Sequence, residues 1–215
     1  MEEPDLDEKI FDFAYLMALR DATVQQAFPS SGKGSKKLLI KCTEAREALS
    51  SYIESIFAGR PEDFYEVESK VEESFNAFLK MHGSSAHFTF GNAQKLINMS
   101  AKYMYMATFG RPELRGRFAA CHCPMDAILI RTVVSEADKK VSGNALSDEE
   151  RRILQEFLNV CAPKPESGKG KHLWRGAPWS RVTVEHYREF QKAVCVLARA
   201  EGIHPLEYDY LHWQN

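Results

Sequence analysis

The sequence contains no long apolar run, so we do not expect a membrane-spanning helix. One of its most apolar stretches, Ala127 to Val134, reaches less than half of the roughly 20 residues that a helix needs to cross a bilayer. The N-terminal segment 1–8 is acidic, whereas a targeting sequence would be basic or apolar. We therefore expect a soluble, cytoplasmic protein with no membrane partner.

Cysteine is sparse and has no regular spacing. The five cysteines form an odd set without the pattern of a disulfide framework, so reduced thiols are the simplest interpretation. The tripeptide Cys121-His122-Cys123 contains good zinc ligands, but a structural zinc site needs four ligands, usually in two spaced pairs. The sequence has no second pair. We predict neither a metal site nor a cofactor.

The sequence also lacks the alternation of apolar and polar residues that is typical of a strand. Its apolar residues recur instead at three- and four-residue steps. We predict an all-α fold, with a single compact helical domain over residues 1–215 and about seven or eight helices. Such a domain is large enough for two lobes with a central cleft. A loop rich in Gly, Pro, Lys and Trp is predicted at 163–180. The predicted helices span about 10–28, 36–58, 61–82, 92–108, 124–134, 147–160, 183–201 and 205–213.

A net charge of −2 gives the whole chain no general affinity for a polyanion, because phosphate binding depends on Lys and Arg. The basic residues are nevertheless concentrated in two segments. Segment 91–131 has six basic and two acidic side chains, and segment 164–181 has five and one, so each carries a charge of +4. If both lie on one face, that face would bind a polyanion. The alternative is ordinary solvated charge.

One predicted helix begins with Gln94-Lys95 and places two lysines and a thioether together. Lys95, Met99 and Lys102 stand at i, i+4 and i+7, so they share one helix face. Asp126 falls in the first turn of the next long helix, where the helix dipole favours a carboxylate.

These motifs, taken in order, resemble the helix-hairpin-helix DNA glycosylase superfamily, and within it most closely the archaeal 8-oxoguanine DNA glycosylase branch. That branch has a Gln-Lys helix start with a second lysine seven residues later, an aspartate in a Pro-x-Asp context, and an Asp-x-x-x-Trp pair near the C-terminus. The resemblance covers about 91–130 and the last ten residues. The matching residues here are Gln94-Lys95, Lys102, Pro124-Met125-Asp126, Asp209 and Trp213.

The resemblance implies a DNA repair enzyme of the nucleoid that removes a damaged base, 8-oxoguanine above all, from duplex or single-stranded DNA. It implies Lys95 as the nucleophile and Asp126 as the catalytic carboxylate, in a protein expected to be a monomer. Arg111, Arg115 and Arg117 are the predicted DNA-binding residues. The predicted substrate-binding residues are Lys102, Met99, Asp209, Trp213 and, by position alone, Gln25 at the end of the first helix.

The residues also fit this chemistry independently of the resemblance. Covalent cleavage of an N-glycosidic bond needs an amine without its proton, and burial beside a second cation such as Lys102 favours that form. A carboxylate stabilises positive charge that develops on the sugar, and Trp213 offers the extruded base a stacking surface. An amine nucleophile leaves a Schiff base, so a strand-nicking lyase step is also permitted.

Two other functions remain open at this stage. One is a catalytically silent nucleic-acid-binding module that keeps the helical fold, and the other is an all-helical protein-interaction protein. In both, Lys95 and Lys102 would be solvated helix lysines, and Asp126 would be an ordinary carboxylate at a helix N-terminus. Asp209 and Trp213 would then form a buried helix end.

Overall fold

The computed structural model describes residues 7–24, 28, 35–109, 111–163 and 172–212, and within these ranges the protein has helices and no strand. The all-α prediction is confirmed. Two short 3₁₀ segments, Gly116–Ala120 and Trp179–Arg181, accompany the α-helices. The α-helices are α1 Glu8–Ala22, α2 Ser35–Leu39, α3 Thr43–Phe57, α4 Phe64–Met81, α5 Phe90–Ala107, α6 Pro112–Arg115, α7 Ala127–Ser142, α8 Asp148–Cys161, α9 Val184–Glu201 and α10 Pro205–His212.

The described helices outnumber the seven or eight that were predicted, because short elements are hard to recognise from periodicity. The predicted helix 36–58 is divided into α2 and α3 by a turn in which the Lys41 and Cys42 amides donate to Leu38 and Leu39. The basic connector before Cys121 contains α6 and a 3₁₀ segment. The predicted helix 124–134 continues to Ser142.

The helices group into two compact units, residues 1–121 and 122–215. In the first unit, α5 packs against α1 and α4, and α4 also packs against α2 and α3. In the second unit, α9 packs against α7, α8 and α10, and α7 also contacts α8 and α10. In the first unit α4 thus contacts three helices and α5 contacts two, and in the second unit α7 and α9 contact three each.

Side-chain caps fix several helix starts. Ser147 and Glu150 form a capping box at the start of α8, and Thr183 caps α9. The helix α5 begins at Phe90, two residues before the predicted start at residue 92. Thr89 is the N-cap, and the Asn92 side chain accepts from its backbone amide, which completes a capping box of the Ser/Thr type.

The helix α5 is unusual because every residue from Gly91 to Lys102 is buried. A helix that is buried all round is expected to be apolar on every face. Leu96 and Ile97 follow that rule, with no exposed surface. Several of their neighbours are polar, and this is the first indication that α5 does more than fill the core.

The Glu68 carboxyl on α4 is buried, and burial raises its pKa to about 8. A hydrogen bond with Glu72 and repulsion from Glu72 and Glu73 act in the same direction. The folded protein therefore holds this proton more tightly than the unfolded chain does. The stability that the neutral carboxyl contributes is complete below the ordinary pKa of 4.5 and is lost as the pH rises through about 8.

Replacing Glu68 with glutamine is expected to remove this loss, because the amide keeps the size of the side chain and does not ionise. Above about pH 8, the free energy of unfolding of Glu68→Gln should exceed that of the wild type by roughly 2–3 kcal/mol, and the two should converge near about pH 5. Urea titrations over this range measure the difference. Glu47→Gln, at an exposed position on α3, is the matched control. Parallel curves for Glu68→Gln and the wild type would contradict the assignment.

Candidate functional site

The predicted lysine face exists on α5 and is buried. Lys95 and Lys102 each expose 6% of their surface, and Met99 between them exposes 8%. Lysine is almost never buried to this extent unless it is paired or serves a function. The interpretation of these lysines as solvated surface residues is therefore wrong.

A band of polar side chains accompanies the two lysines along α5. The Asn98 amide donates to Gln94 Oε1 over 3.3 Å, and Ser100 is buried completely. Burying polar groups costs free energy unless they are hydrogen-bonded, so a packing helix has no need of them. We call these residues the polar band of α5. Its members are Asn92, Gln94, Lys95, Asn98, Ser100 and Lys102.

Two hydrogen bonds fix α5 against the C-terminal end of α1. Asn92 Nδ2 donates to the Ala22 carbonyl oxygen over 2.7 Å, and the Tyr103 hydroxyl donates to Asp21 Oδ2 over 2.6 Å. These bonds lie on either side of Lys95 in the sequence. The helix that carries the candidate nucleophile is therefore held at both ends of its polar band.

A side-chain amide also clamps the loop that leads into α5. Asn76 on α4 donates from Nδ2 to the Phe88 carbonyl oxygen, and its Oδ1 accepts from the Phe88 amide, each over 2.8 Å. Phe88 directly precedes the N-cap Thr89. Two bonds to one residue fix both its position and its orientation, so Asn76 sets where α5 begins.

Asp126 is the N-cap of α7, one position before the first turn in which the sequence placed it. Its Oδ1 accepts hydrogen bonds from the Ile128 and Leu129 amides, each over 2.9 Å. These amides have no partner inside the helix, and a carboxylate there also benefits from the helix dipole. The carboxylate is therefore held in one orientation at the start of α7, and this capping is a structural role in itself.

The segment before Asp126 has no regular secondary structure and is tied to α9. Gln191 on α9 accepts from the Cys123 amide over 3.0 Å and donates to the Cys123 carbonyl oxygen over 2.7 Å. His122 Nδ1 lies 3.0 Å from the Tyr187 hydroxyl, one turn earlier on the same helix. Neither Gln191 nor Tyr187 was predicted from the sequence. The available signal was Gln191, a glutamine inside the apolar stripe of the predicted helix 183–201.

The remaining predicted substrate-binding residues are only partly described. Asp209 on α10 is fully buried, next to Tyr208, whose pKa is raised by burial. Trp213 and Gln25 lie outside the described residues, so their roles remain predictions.

The predicted DNA-binding arginines differ in what they contact. The Arg117 guanidinium donates to the Phe57 carbonyl oxygen at the end of α3. The Arg115 guanidinium lies 4.8 Å from the centre of the Phe109 ring and donates to the Phe109 carbonyl oxygen over 3.2 Å. Arg111 is exposed. Arg115 and Arg117 thus support the local fold in addition to any contact with DNA.

Both thiols of the tripeptide Cys121-His122-Cys123 are buried. Burial raises the pKa of the Cys121 thiol to about 12. Among the described residues, no group of three or more His, Cys, Asp or Glu side chains is placed to hold a metal ion. None of the helices in the described ranges has the length and apolar character needed to cross a membrane.

Comparison with known proteins gives no relative: neither a family model, nor a curated protein, nor a solved structure matches this chain. The resemblance to DNA glycosylases therefore depends on the ordered motifs around Lys95, Asp126 and Asp209.

Proposed function

We propose that this protein is a DNA glycosylase that removes a damaged base, with 8-oxoguanine as the expected lesion, and that Lys95 is its nucleophile. The observation that supports this most is the burial of two lysines, each 6% exposed, on one face of α5. Lysine is rarely buried to this extent, and a lysine amine is the nucleophile in enzymes that form a Schiff base with their substrate.

The proposed reaction begins with attack of Lys95 Nζ on the anomeric carbon of the damaged nucleoside. The bond between that carbon and the base nitrogen breaks, its electron pair leaves with the base, and the base takes up a proton. Loss of a proton from the lysine nitrogen and opening of the sugar ring then give a Schiff base. Asp126 is proposed to stabilise the positive charge that develops on the sugar.

A base must leave the duplex before its glycosidic bond can be attacked, so the enzyme also needs a pocket for it. The residues that we propose for recognition of the base are Lys102, Met99 and Asp209, with Trp213 for stacking and Gln25 for contact with a base edge. Lys102 acts in this proposal through recognition of the base or through its charge near Lys95.

Borohydride trapping tests the proposal directly. Reduction of the Schiff base turns it into a stable amine, so incubation with a duplex that contains 8-oxoguanine should give a covalent protein–DNA adduct. An undamaged duplex of the same sequence is the control and should give none. A panel of other damaged bases, each in duplex and single-stranded form, identifies the preferred substrate. If no damaged base gives an adduct, the proposal of a lysine nucleophile is wrong.

A second function, that of a silent nucleic-acid-binding module, is favoured by one observation. The cap of α7 is a sufficient structural reason for an aspartate at position 126, because two amides donate to it. Salt-dependent DNA binding without any trapped adduct would support this alternative. Absence of DNA binding even at low salt would support a protein-interaction role.

Replacing Arg111 with glutamine is expected to weaken DNA binding equally for damaged and undamaged duplexes. Loss of one phosphate contact should reduce the slope of log affinity against log salt by about 1. Arg111 is the cleanest probe, since Arg115 and Arg117 variants also lose contacts within the fold. Fluorescence anisotropy at several salt concentrations measures the slope. Lys70→Gln, an exposed lysine on α4 outside both basic segments, is the control. An unchanged slope in Arg111→Gln would remove Arg111 from the DNA interface.

A further inference from the structure

The side-chain amide of Gln191 forms a pair of hydrogen bonds with the backbone of a single residue. Its Oε1 accepts from the Cys123 amide and its Nε2 donates to the Cys123 carbonyl oxygen, over 3.0 Å and 2.7 Å. The side chain is 5% exposed, so neither bond competes freely with water. Removing one partner of such a buried bond leaves the other unsatisfied, which makes this arrangement sensitive to substitution.

The segment that Gln191 holds lies between helical elements. Residues 121–126 have no regular secondary structure, and Pro124 has no amide hydrogen to donate. The segment is nevertheless buried at Cys123, Pro124 and Met125. Its backbone polar groups must therefore find partners elsewhere, and Gln191 supplies both for Cys123.

We infer that Gln191 is a positioning residue for the Asp126 carboxylate. Cys123 precedes Asp126 by three residues, so fixing the orientation of the Cys123 peptide fixes the direction in which the chain enters α7. His122, held near Tyr187 by a 3.0 Å contact, adds a second tie to the same helix. The inference rests on the proposed function, because a positioned carboxylate matters for turnover only if Asp126 is catalytic.

A matching arrangement in the first unit supports this inference. Asn76 bonds to both backbone groups of Phe88 just before α5, as Gln191 does to Cys123 before α7. An amide side chain from a neighbouring helix, half-buried at Asn76 and buried at Gln191, thus bonds to the segment that leads into each of the helices that carry Lys95 and Asp126. A requirement of packing alone does not explain why the two helices with candidate catalytic residues share this device.

The test uses two substitutions of Gln191 in the full chain. Gln191→Leu removes both bonds and keeps the size of the side chain, so kcat should fall by about 10- to 100-fold, with KM changed by less than about 2-fold, because a misplaced catalytic group slows the chemical step rather than binding. Gln191→Glu can accept from the Cys123 amide, but it can donate to the carbonyl oxygen only when protonated. Its rate relative to the wild type should therefore recover as the pH is lowered from about 8 to about 5.5.

Each rate is divided by the wild-type rate at the same pH, so that the effects of other titratable groups near this segment on the rate cancel. These groups are His122, Tyr187, Tyr208 and Asp126, with the Glu189–Lys192 ion pair next to Gln191 in the sequence of α9. Gln155→Glu, the same chemical change on α8, is the matched control and should show no recovery at low pH. A Gln191→Glu variant that follows Gln155→Glu at every pH overturns the inference.

Amide hydrogen exchange separates failure of this inference from failure of the proposed function. In Gln191→Leu, exchange should accelerate at Cys123 and at Ile128 and Leu129, whose amides bond to Asp126. Unchanged protection at Ile128 and Leu129 would overturn the positioning role, whatever the activity. Accelerated exchange in a protein whose wild type cleaves no lesion would uphold the role and reject glycosylase activity.

Discussion

Lys95→Gln is expected to abolish base release and the borohydride-trapped adduct while lesion binding remains within about 3-fold of the wild type. The amide has nearly the length and the polarity of the lysine but no nucleophilic lone pair on nitrogen. Removal of a nucleophile typically lowers kcat by on the order of 10³-fold or more. Single-turnover cleavage of an 8-oxoguanine duplex measures the rate, and anisotropy with the same duplex measures binding.

Lys102→Gln is the matched control for this experiment. Lys102 lies on the same helix, shows the same 6% exposure, and loses the same amino group in the variant. Any effect of removing a buried lysine amine from α5 should therefore appear in both variants. Lys102→Gln should lower the rate much less than Lys95→Gln and should still form the adduct. If Lys95→Gln cleaves at the wild-type rate, or if both variants lose activity equally, Lys95 is not the nucleophile.

Stability measurements complete the comparison of the two lysines. A buried charge held only for structural reasons leaves unsatisfied partners when it is removed, and this destabilises the fold. For a lysine retained for catalysis, replacement by a neutral side chain is expected to be neutral or stabilising, because function is often maintained at the expense of stability. Urea unfolding of Lys95→Gln and Lys102→Gln distinguishes these cases independently of any DNA assay.

The helical elements were predictable because their signals are local. The capping box at Ser147 and Glu150 and the cap at Thr183 lie within four residues of the amides that they bind, and the apolar positions of α4 and α9 repeat with the helical period. The division at residues 40–42 was not predictable in this way. Leu39 and Ala45 continue an apolar pattern across it, so periodicity favoured one helix where the backbone forms a turn.

The positioning of the candidate residues was only partly predictable. Sequence spacing alone placed Lys95, Met99 and Lys102 on one face, but it could not show that all three are buried, because burial depends on α1 and α4 as well as on α5. The bonds of Asn76 and Gln191 span 12 and 68 residues. A single amide side chain that bonds to a residue so far away along the sequence leaves no repeating signal there.

Asp126→Asn is expected to lower turnover by about 10²- to 10³-fold with little change in stability. Removing a placed charge that stabilises a developing positive charge has an effect of this size in other active sites. Asparagine caps helices about as well as aspartate does, so the bonds to the Ile128 and Leu129 amides should persist. The substitution therefore separates the catalytic role of the carboxylate from its capping role. Single-turnover kinetics and thermal unfolding of the same preparation provide both measurements.

Asp126→Ala supplies the complementary result, because it removes the cap and the charge together. It should lose about 1 kcal/mol of stability beyond Asp126→Asn, with a loss of turnover at least as large. If Asp126 serves only as the N-cap of α7, the pattern changes: Asp126→Asn would cleave like the wild type, and Asp126→Ala would lose activity only in proportion to its unfolded fraction. That outcome would leave Lys95 without its proposed carboxylate, and Asp209, a fully buried aspartate of the second unit, would be the next position to substitute.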